Sequence, residues 1–292
     1  MIEAVIIYIL RILLIIIGAT VVGGLLTGFD RIISAKMQRR KGPPLLQPFY
    51  DVIKLAQKQS TTVNNATRFY VTFSLCFSVL TVVLFCLGFD LLLCIFAFTL
   101  SCIFFVISGY SSYSPFSFVG TERELIQIMC YEPMVLMTAF GFYKVSGSFS
   151  IAANFTLDAP AIIKLPLIFV GFSYIITIKL RKSPFDLSMS HHGHQEIVKG
   201  IITELTGICL AMVEVSHWFE TVFALAIIYI FFVYAATFSW IVAILIAFLL
   251  FFFEIIVDNA FARVKWKPAL GFSWIITGIC GGINLFILML IR

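Results

Sequence analysis

Residues 91–110, LLLCIFAFTLSCIFFVISGY, contain no charged side chain and have the length a helix needs to cross the hydrocarbon core of a bilayer, about 20 residues. Comparable apolar runs recur on both sides, near 4–28, 69–88, 125–146, 160–180, 208–236, 238–257 and 269–291. Eight spans are therefore expected. Across all 292 residues the hydrophobic share is 61% and the charged share 12%, with a mean hydropathy of +1.06, which excludes an ordinary soluble domain. The expected fold is an all-α polytopic transmembrane bundle, a single integral membrane domain over 1–292. The run at 208–236 is too long for one straight crossing and carries Glu214, His217 and Glu220, so its first part should be protein-buried, tilted or broken. The first run has no basic segment before it and no small-residue cleavage pattern after it, and reads as a retained span rather than a signal peptide.

Basic residues are distributed unequally. The connecting segments 29–68, 111–124, 181–207 and 258–268 hold nearly all of them, against Lys144, Lys164 and Arg292 on the other face. The positive-inside bias makes the first set cytoplasmic and places both termini outside. Residues 12–29 can cross unaided, which leaves Arg11 at the outer interface. In the first basic loop Leu45, Phe49, Val52, Ile53 and Ala56 share one helical face, predicting an amphipathic surface helix after the turn at Gly42, Pro43 and Pro44. That platform, with Arg31, Arg39, Arg40, Lys41, Asp51 and Lys54, is a candidate docking surface.

The seven cysteines, Cys76, Cys86, Cys94, Cys102, Cys130, Cys209 and Cys280, lie in or beside apolar runs and never at a CxxC spacing. They read as packing residues rather than ligands of a cluster or zinc. No metal or other cofactor is expected on this chain.

The acids are more informative. Segment 183–207, SPFDLSMSHHGHQEIVKGIITELTG, places Asp186, Glu196 and Glu204 around His191, His192 and His194. Glu132 lies inside an expected span, Glu204, Glu214 and Glu220 stand near the start of the sixth, and Glu254 and Asp258 end the seventh. An ionised carboxylate at mid-bilayer costs on the order of 2.5–3.5 kcal/mol, so such groups face water or a partner. If 196–204 were one continuous helix, Glu196 and Glu204 would share a face. A file of carboxylates suits a proton or cation relay, and interhelical hydrogen bonding is the structural alternative. The histidines titrate near neutrality and suit proton collection or a partner contact; a metal is the lesser reading, because no further ligand stands close by. Walker, GxGxxG, HExxH and GxSxG patterns are absent, so neither nucleotide hydrolysis nor a hydrolytic nucleophile is indicated.

These residues resemble a known family: the heel subunit of respiratory complex I, beside the quinone cavity, and its relatives in membrane-bound hydrogenases. DRIISAKMQRRKGPPLLQPFYDVIKL (30–55), GTERELIQIMCYEP (120–133) and FDLSMSHHGHQEIVKGIITELTG (185–207) carry the likeness, and FARVKWKPAL (261–270) carries it weakly. Onto the family motifs fall Arg31, Gln38, Arg40, Gly42, Pro43, Gln47, Pro48, Asp51 and Lys54, then Arg123, Gln127, Tyr131 and Glu132. The third and fourth segments add Phe185, Asp186, Glu196, Gly200, Glu204 and Gly207, then Arg263 and Lys265. The departures are Asp30 for the family's glutamate, Ser188 and Met189 where an acid follows FDL, Leu205 for a tyrosine, and the histidine-rich insertion. They disfavour an ordinary quinone site and look like the membrane anchor of Ech-type energy-converting, group 4 nickel-iron hydrogenases.

The resemblance implies a prokaryotic cell-membrane subunit that carries no cofactor itself. Its partners would be hydrogenase large and small subunits with a nickel-iron centre, a ferredoxin-like iron-sulfur subunit, an antiporter-like membrane subunit, soluble ferredoxin as donor, and lipid; no nucleic acid is expected. Ion coupling would fall to Glu132, Glu196, Glu204, Glu214 and Asp186. Docking would fall to Arg31, Arg39, Arg40, Lys41, Asp51, Lys54, Arg123, Arg263 and Lys265. A quinone-site subunit of a complex I type enzyme shares the topology, and a stand-alone ion transporter remains a reading of another class, although the inverted repeats it should show are absent.

Overall fold

The computed structural model describes residues 2–59, 64–185, 188 and 199–290. Asp186, Glu196, His191, His192 and His194 lie outside them. The helices follow in the order α1 Ile2–Met37, α2 Gln47–Gln57, α3 Asn65–Cys86, α4 Leu91–Tyr110, α5 Pro115–Ser146, one turn at α6 Ile151–Asn154, α7 Pro166–Lys179, α8 Gly207–Phe232, α9 Ser239–Ala260, α10 Trp266–Ile276 and α11 Ile283–Leu290. A π-helical stretch, Thr277–Gly282, joins α10 to α11. The all-α polytopic bundle is as expected.

One expected span is built from a shorter helix than its apolar run suggests. Among the described residues seven helices are long and apolar enough to cross a membrane, with α10 through α11 acting as one. The fifth expected span, 160–180, is carried by a short 3-10 turn at Ala161–Ile163 followed by the apolar helix α7, 14 residues long. At 1.5 Å per residue α7 reaches about 21 Å, short of a hydrocarbon core of about 30 Å. A helix can stop inside the bilayer only if its end groups are satisfied by protein. Here Asn284 of α11 does so. Its Oδ1 accepts from the backbone N–H of Leu167 and Ile168 at 3.0 and 3.1 Å, and its Nδ2 donates to the Lys164 carbonyl at 3.0 Å. Pro166 at the first helical position has no N–H to satisfy.

Other boundaries move because helices outrun the apolar windows. The expected loop 111–124 is mostly helix, since α5 starts at Pro115 and runs to Ser146, where Gly147 at φ 77° ends it. Helix α8 is a single unbroken element; Gly207, Cys209, Val213, Phe219 and Glu220 are buried in it, so the protein-buried alternative for the start of 208–236 holds. The core lies between α4, α5, α7 and α8 and is rich in rings: Phe142 stands 4.7 Å from Phe231, and Phe98 5.0 Å from Phe223.

The amphipathic helix α2 forms as expected, rotated from the anticipated face. Pro48 is buried and Phe49, Val52 and Leu55 are half-buried, whereas Leu45, Ile53 and Ala56 are exposed. The rotation follows from what α2 meets. Phe49 lies edge-on to Trp218 of α8, 5.2 Å between centroids, over Gly24 of α1. A Cβ at Gly28 would collide with the Leu45 carbonyl oxygen, so that glycine lets the α1–α2 connection fold back onto α1.

Replacing Asn284 by Leu should orphan one carbonyl and two N–H groups in the bundle interior. The expected cost is about 2–4 kcal/mol, read as a lowered midpoint of thermal unfolding in detergent. Gly18→Ala, whose new methyl meets nothing within 4 Å, should change it little.

Candidate functional site: a buried charge cluster and its cavity

The end of α7 carries Lys179, Arg181 and Lys182 into the bundle. This basic run lies among helices instead of beyond them. Lys179 and Lys182 are each 7% exposed, Glu124 1% and Glu220 5%. Charges so deep require partners. Arg181 grips Glu124 of α5 through Nη2 at 2.6 Å and through Nε at 3.1 and 3.2 Å, and reaches Glu220 of α8 through Nη1 at 3.4 Å. Lys179 pairs with the same Glu220 oxygen at 3.4 Å, donates to Cys102 Sγ at 3.1 Å and to the Tyr131 hydroxyl at 3.4 Å, and lies over the Phe98 ring at 4.1 Å. Ser188 donates a short hydrogen bond to the second Glu124 oxygen. Burial works against the Arg181 charge, and the two carboxylates at contact distance offset it.

Backbone geometry closes the cluster's far side. Gly120, one turn before Glu124, receives the backbone of Gly200 and Ile201: a Cβ there would collide with the Ile201 nitrogen. Lys199 and Gly200 have positive φ, 59° and 43°, and a 3-10 turn follows at Gly200–Ile202. The condition for a shared face, one continuous helix through 196–204, is not met over 199–204, where the left-handed residues and the turn at Thr203 and Glu204 interrupt it.

A second polar group adjoins the first. Lys182 pairs with Asp30 of α1 at 2.9 Å, and the Ser183 N–H donates to Asp258 of α9 at 2.7 Å. Buried Glu254 leaves Oε2 without a partner among the described residues. Between the two groups a cavity of about 340 Å³ is lined by Asp30, Arg31, Lys179, Arg181, Lys182, Glu214, His217 and Glu220, with Trp218 and Phe251 as apolar wall. A further cavity of about 270 Å³ lies under α2, between Pro48, Asp51, Lys54, Lys58 and α8. Arg31, Glu214 and Trp218 line both. A polar route thus leads from the Lys54 and Lys58 edge of α2, past Glu214, to the buried Glu220. The arrangement can hold and pass charge, because each carboxylate along it faces a cation or a hydrated space.

Of the anticipated coupling acids, Glu214 lies on this route. Glu132 is half-buried and Glu204 half-buried in its turn, and neither joins the cluster. The reason for Glu132 is angular: Glu124, Gln127 and Tyr131 stand at i, i+3 and i+7 on one face of α5, and Glu132 is rotated about 100° from Tyr131. Gln127 donates to the Phe185 carbonyl at 2.6 Å. Sequence reasoning passed over Glu124 and treated Arg181 and Lys182 as loop charges. The stripe at 124, 127 and 131 was the available signal.

Among the anticipated docking residues, Arg39, Arg40, Lys41, Lys54, Arg263 and Lys265 are exposed and Arg123 is half-buried. Arg31 and Asp51 bind each other at 2.5 Å, clamping α2 to α1, with Gln47 donating to Asp51 at 2.8 Å. Partial burial raises the Asp51 pKa, but the hydrogen bonds from Arg31 and Gln47 outweigh it and hold the carboxyl below its ordinary 3.8.

The sequence profile of the NADH dehydrogenase family matches residues 10–289. The chain belongs to that family, and is a membrane subunit of the kind found in complex I-like and hydrogenase-like energy-converting complexes. Formate hydrogenlyase subunit 4 of Escherichia coli K12 is 30% identical over 203 residues, 64% of this chain and 65% of that protein. Hydrogenase-4 component C of the same organism is 31% identical over 207 residues, 65% and 64% of the two chains. These two matches span just under two thirds of either relative. An NADH-quinone oxidoreductase subunit of Aquifex aeolicus is 26% identical over 251 residues, 75% and 74%. A chain in the structure of the archaeal membrane-bound sulfane sulfur reductase superposes with a TM-score of 0.85 at 23% identity, covering 96% of this chain and 99% of that one; this is a likeness of fold.

The Asp51 clamp has a defined pH response. A depressed folded-state pKa contributes stability that is present in full above the unfolded value near 3.8 and is lost as pH falls through the folded value. Amide protection factors in α2 should stay flat on acidification to about pH 4.5 and drop only below it. Arg31→Gln should lower them at every pH.

Removing one member of the buried cluster leaves the rest uncompensated. Glu124→Gln should destabilise the purified protein by about 3–5 kcal/mol, while the pair Glu124→Gln and Arg181→Gln should cost clearly less than the sum of the two single changes. Strict additivity of the unfolding midpoints would rule out the coupling.

Proposed function

We propose that this chain is the membrane-anchor and ion-coupling subunit of a ferredoxin-dependent, hydrogen-evolving membrane hydrogenase of the Ech type, linking electron transfer in a peripheral arm to H+ or Na+ movement. The observation that carries the coupling role is the pair of polar cavities that share Arg31, Glu214 and Trp218, one at the α2 edge and the other reaching the buried Glu220. The hydrogenase branch rests on relatives named as formate hydrogenlyase and hydrogenase-4 components. On this reading hydrogenase large and small subunits and a ferredoxin-like iron-sulfur subunit dock over the exposed Arg39, Arg40, Lys41, Lys54, Arg263 and Lys265. They hold the nickel-iron centre and the clusters, and soluble ferredoxin supplies electrons. An antiporter-like membrane subunit receives the charge, and both termini lie outside.

Electron arrival above the α2 platform changes the local charge. That shifts the protonation of Glu214, which faces Arg31 and the cavity, and passes the change inward to Glu220 and Glu124. A two-electron drop of about 100 mV releases roughly 4.6 kcal/mol, and one charge moved against about 150 mV costs roughly 3.5 kcal/mol. That limits the yield to about one ion per hydrogen.

A quinone-site subunit is the second reading, supported by the longer match to the NADH-quinone oxidoreductase subunit of Aquifex aeolicus. Quinone-dependent turnover by the purified complex, without hydrogen evolution, would select it.

Glu214→Gln removes the titratable group between the two cavities while keeping its shape. Partner assembly should survive, and vesicles should still evolve hydrogen from reduced ferredoxin while building a several-fold smaller ion gradient per hydrogen. An unchanged gradient per hydrogen would remove Glu214 from the coupling path.

A further inference from the structure

The opposite end of α1 carries a feature that neither the charge cluster nor the docking platform uses. From Val5 to Leu10 every side chain is exposed, and Leu14 and Ile17 are 73% and 64% exposed. A helix exposed on consecutive positions is uncovered around its whole circumference. Where this half of α1 passes the end of α3, the two helices leave an apolar groove of about 410 Å³, walled by Leu10, Leu14 and Ile15 on one side and Cys86 and Leu87 on the other. In that wall stands one charge, Arg11. Among the described residues it has neither an ion-pair nor a hydrogen-bond partner, and Glu3 and Asp90, the acids nearest in sequence to the groove walls, are not paired with it.

Depth identifies what Arg11 meets. Arg31, clamped to the surface helix α2, marks one membrane interface. Arg11 lies twenty residues back along the same helix, about 30 Å at 1.5 Å per residue, which is one hydrocarbon thickness. The groove's other wall, Cys86 and Leu87, is where α3 ends. Arg11 is therefore at the headgroup level of the leaflet opposite α2, beside a channel of acyl-chain character that descends along Leu14 and Ile15. A guanidinium donates to phosphate oxygens in a paired, planar geometry.

We propose that this groove is a binding site for an anionic phospholipid, with the phosphate on Arg11 and one acyl chain between α1 and α3. A resident lipid also covers Leu14, which the chain's own helices leave bare, and supplies the counter-charge that Arg11 lacks.

The test uses the complex purified in mild detergent, with bound lipid read by native mass spectrometry after exchange into nanodiscs of phosphatidylglycerol or phosphatidylcholine. Wild type should retain phosphatidylglycerol in preference to phosphatidylcholine. Arg11→Gln should lose about fivefold of that retention, the effect of one basic residue near an anionic headgroup, and Arg11→Lys should keep most of it. Millimolar inorganic phosphate should not displace the lipid, because it has no chain for the groove. Equal retention in wild type and Arg11→Gln, or displacement by phosphate alone, overturns the proposal. Should Arg11→Gln fail to assemble, Leu14→p-benzoylphenylalanine in the otherwise wild-type complex decides it. Crosslinking to phospholipid supports the site, and crosslinking to a polypeptide assigns the groove to a partner helix and refutes it.

Discussion

Arg181 must be paired on both sides, and much of the bundle is arranged to make that possible. A guanidinium enclosed by apolar helices is tolerable only with carboxylates at contact distance, and Glu124 and Glu220 come to it from different helices. Three helices are thereby tied at one point. The close backbone approach at Gly120 seals the cluster, the end of α7 carries the basic run into the bundle, and Asn284 makes that short helix admissible by satisfying its first amides.

Polar groups off this point form a graded series. Glu124 is enclosed and fully paired, Glu220 is shared between Lys179 and Arg181, and Glu214 faces open cavity on two sides. Moving from Glu124 towards α2, direct pairing falls and open cavity takes its place. The serine at position 188 fits the enclosed end of the series. It donates to Glu124, where a carboxylate would repel it.

The long apolar runs made the bundle legible, because a bilayer imposes length and composition directly on the chain. Helix α2 was legible in its extent and misread in its facing, since the choice between the Ile53 side and the Leu55 side is settled by Trp218 and Gly24, far away in sequence. The cluster was half legible. Glu214 and Glu220 announced themselves as acids in an apolar run, but Arg181 and Lys182 looked like ordinary flanking charges, because nothing local says that the end of α7 is enclosed by other helices. That information resides in Glu124, Glu220 and Asp30, each far away in sequence. Glu132 attracted attention by its place in a motif, while the helical stripe carrying Glu124, Gln127 and Tyr131 held the side that faces inward.

The short reach of α7 also has an electrical consequence. Its end lowers a polar, charge-lined cavity of about 340 Å³ into the bundle, a volume ample for water. Where water and mobile charge penetrate, the local dielectric is high and little of the membrane voltage falls; the drop is compressed into the remaining apolar thickness. The average field across that thickness is steeper, so a displacement of a few ångströms beside Glu220 traverses more voltage than the same step where no cavity enters the bundle.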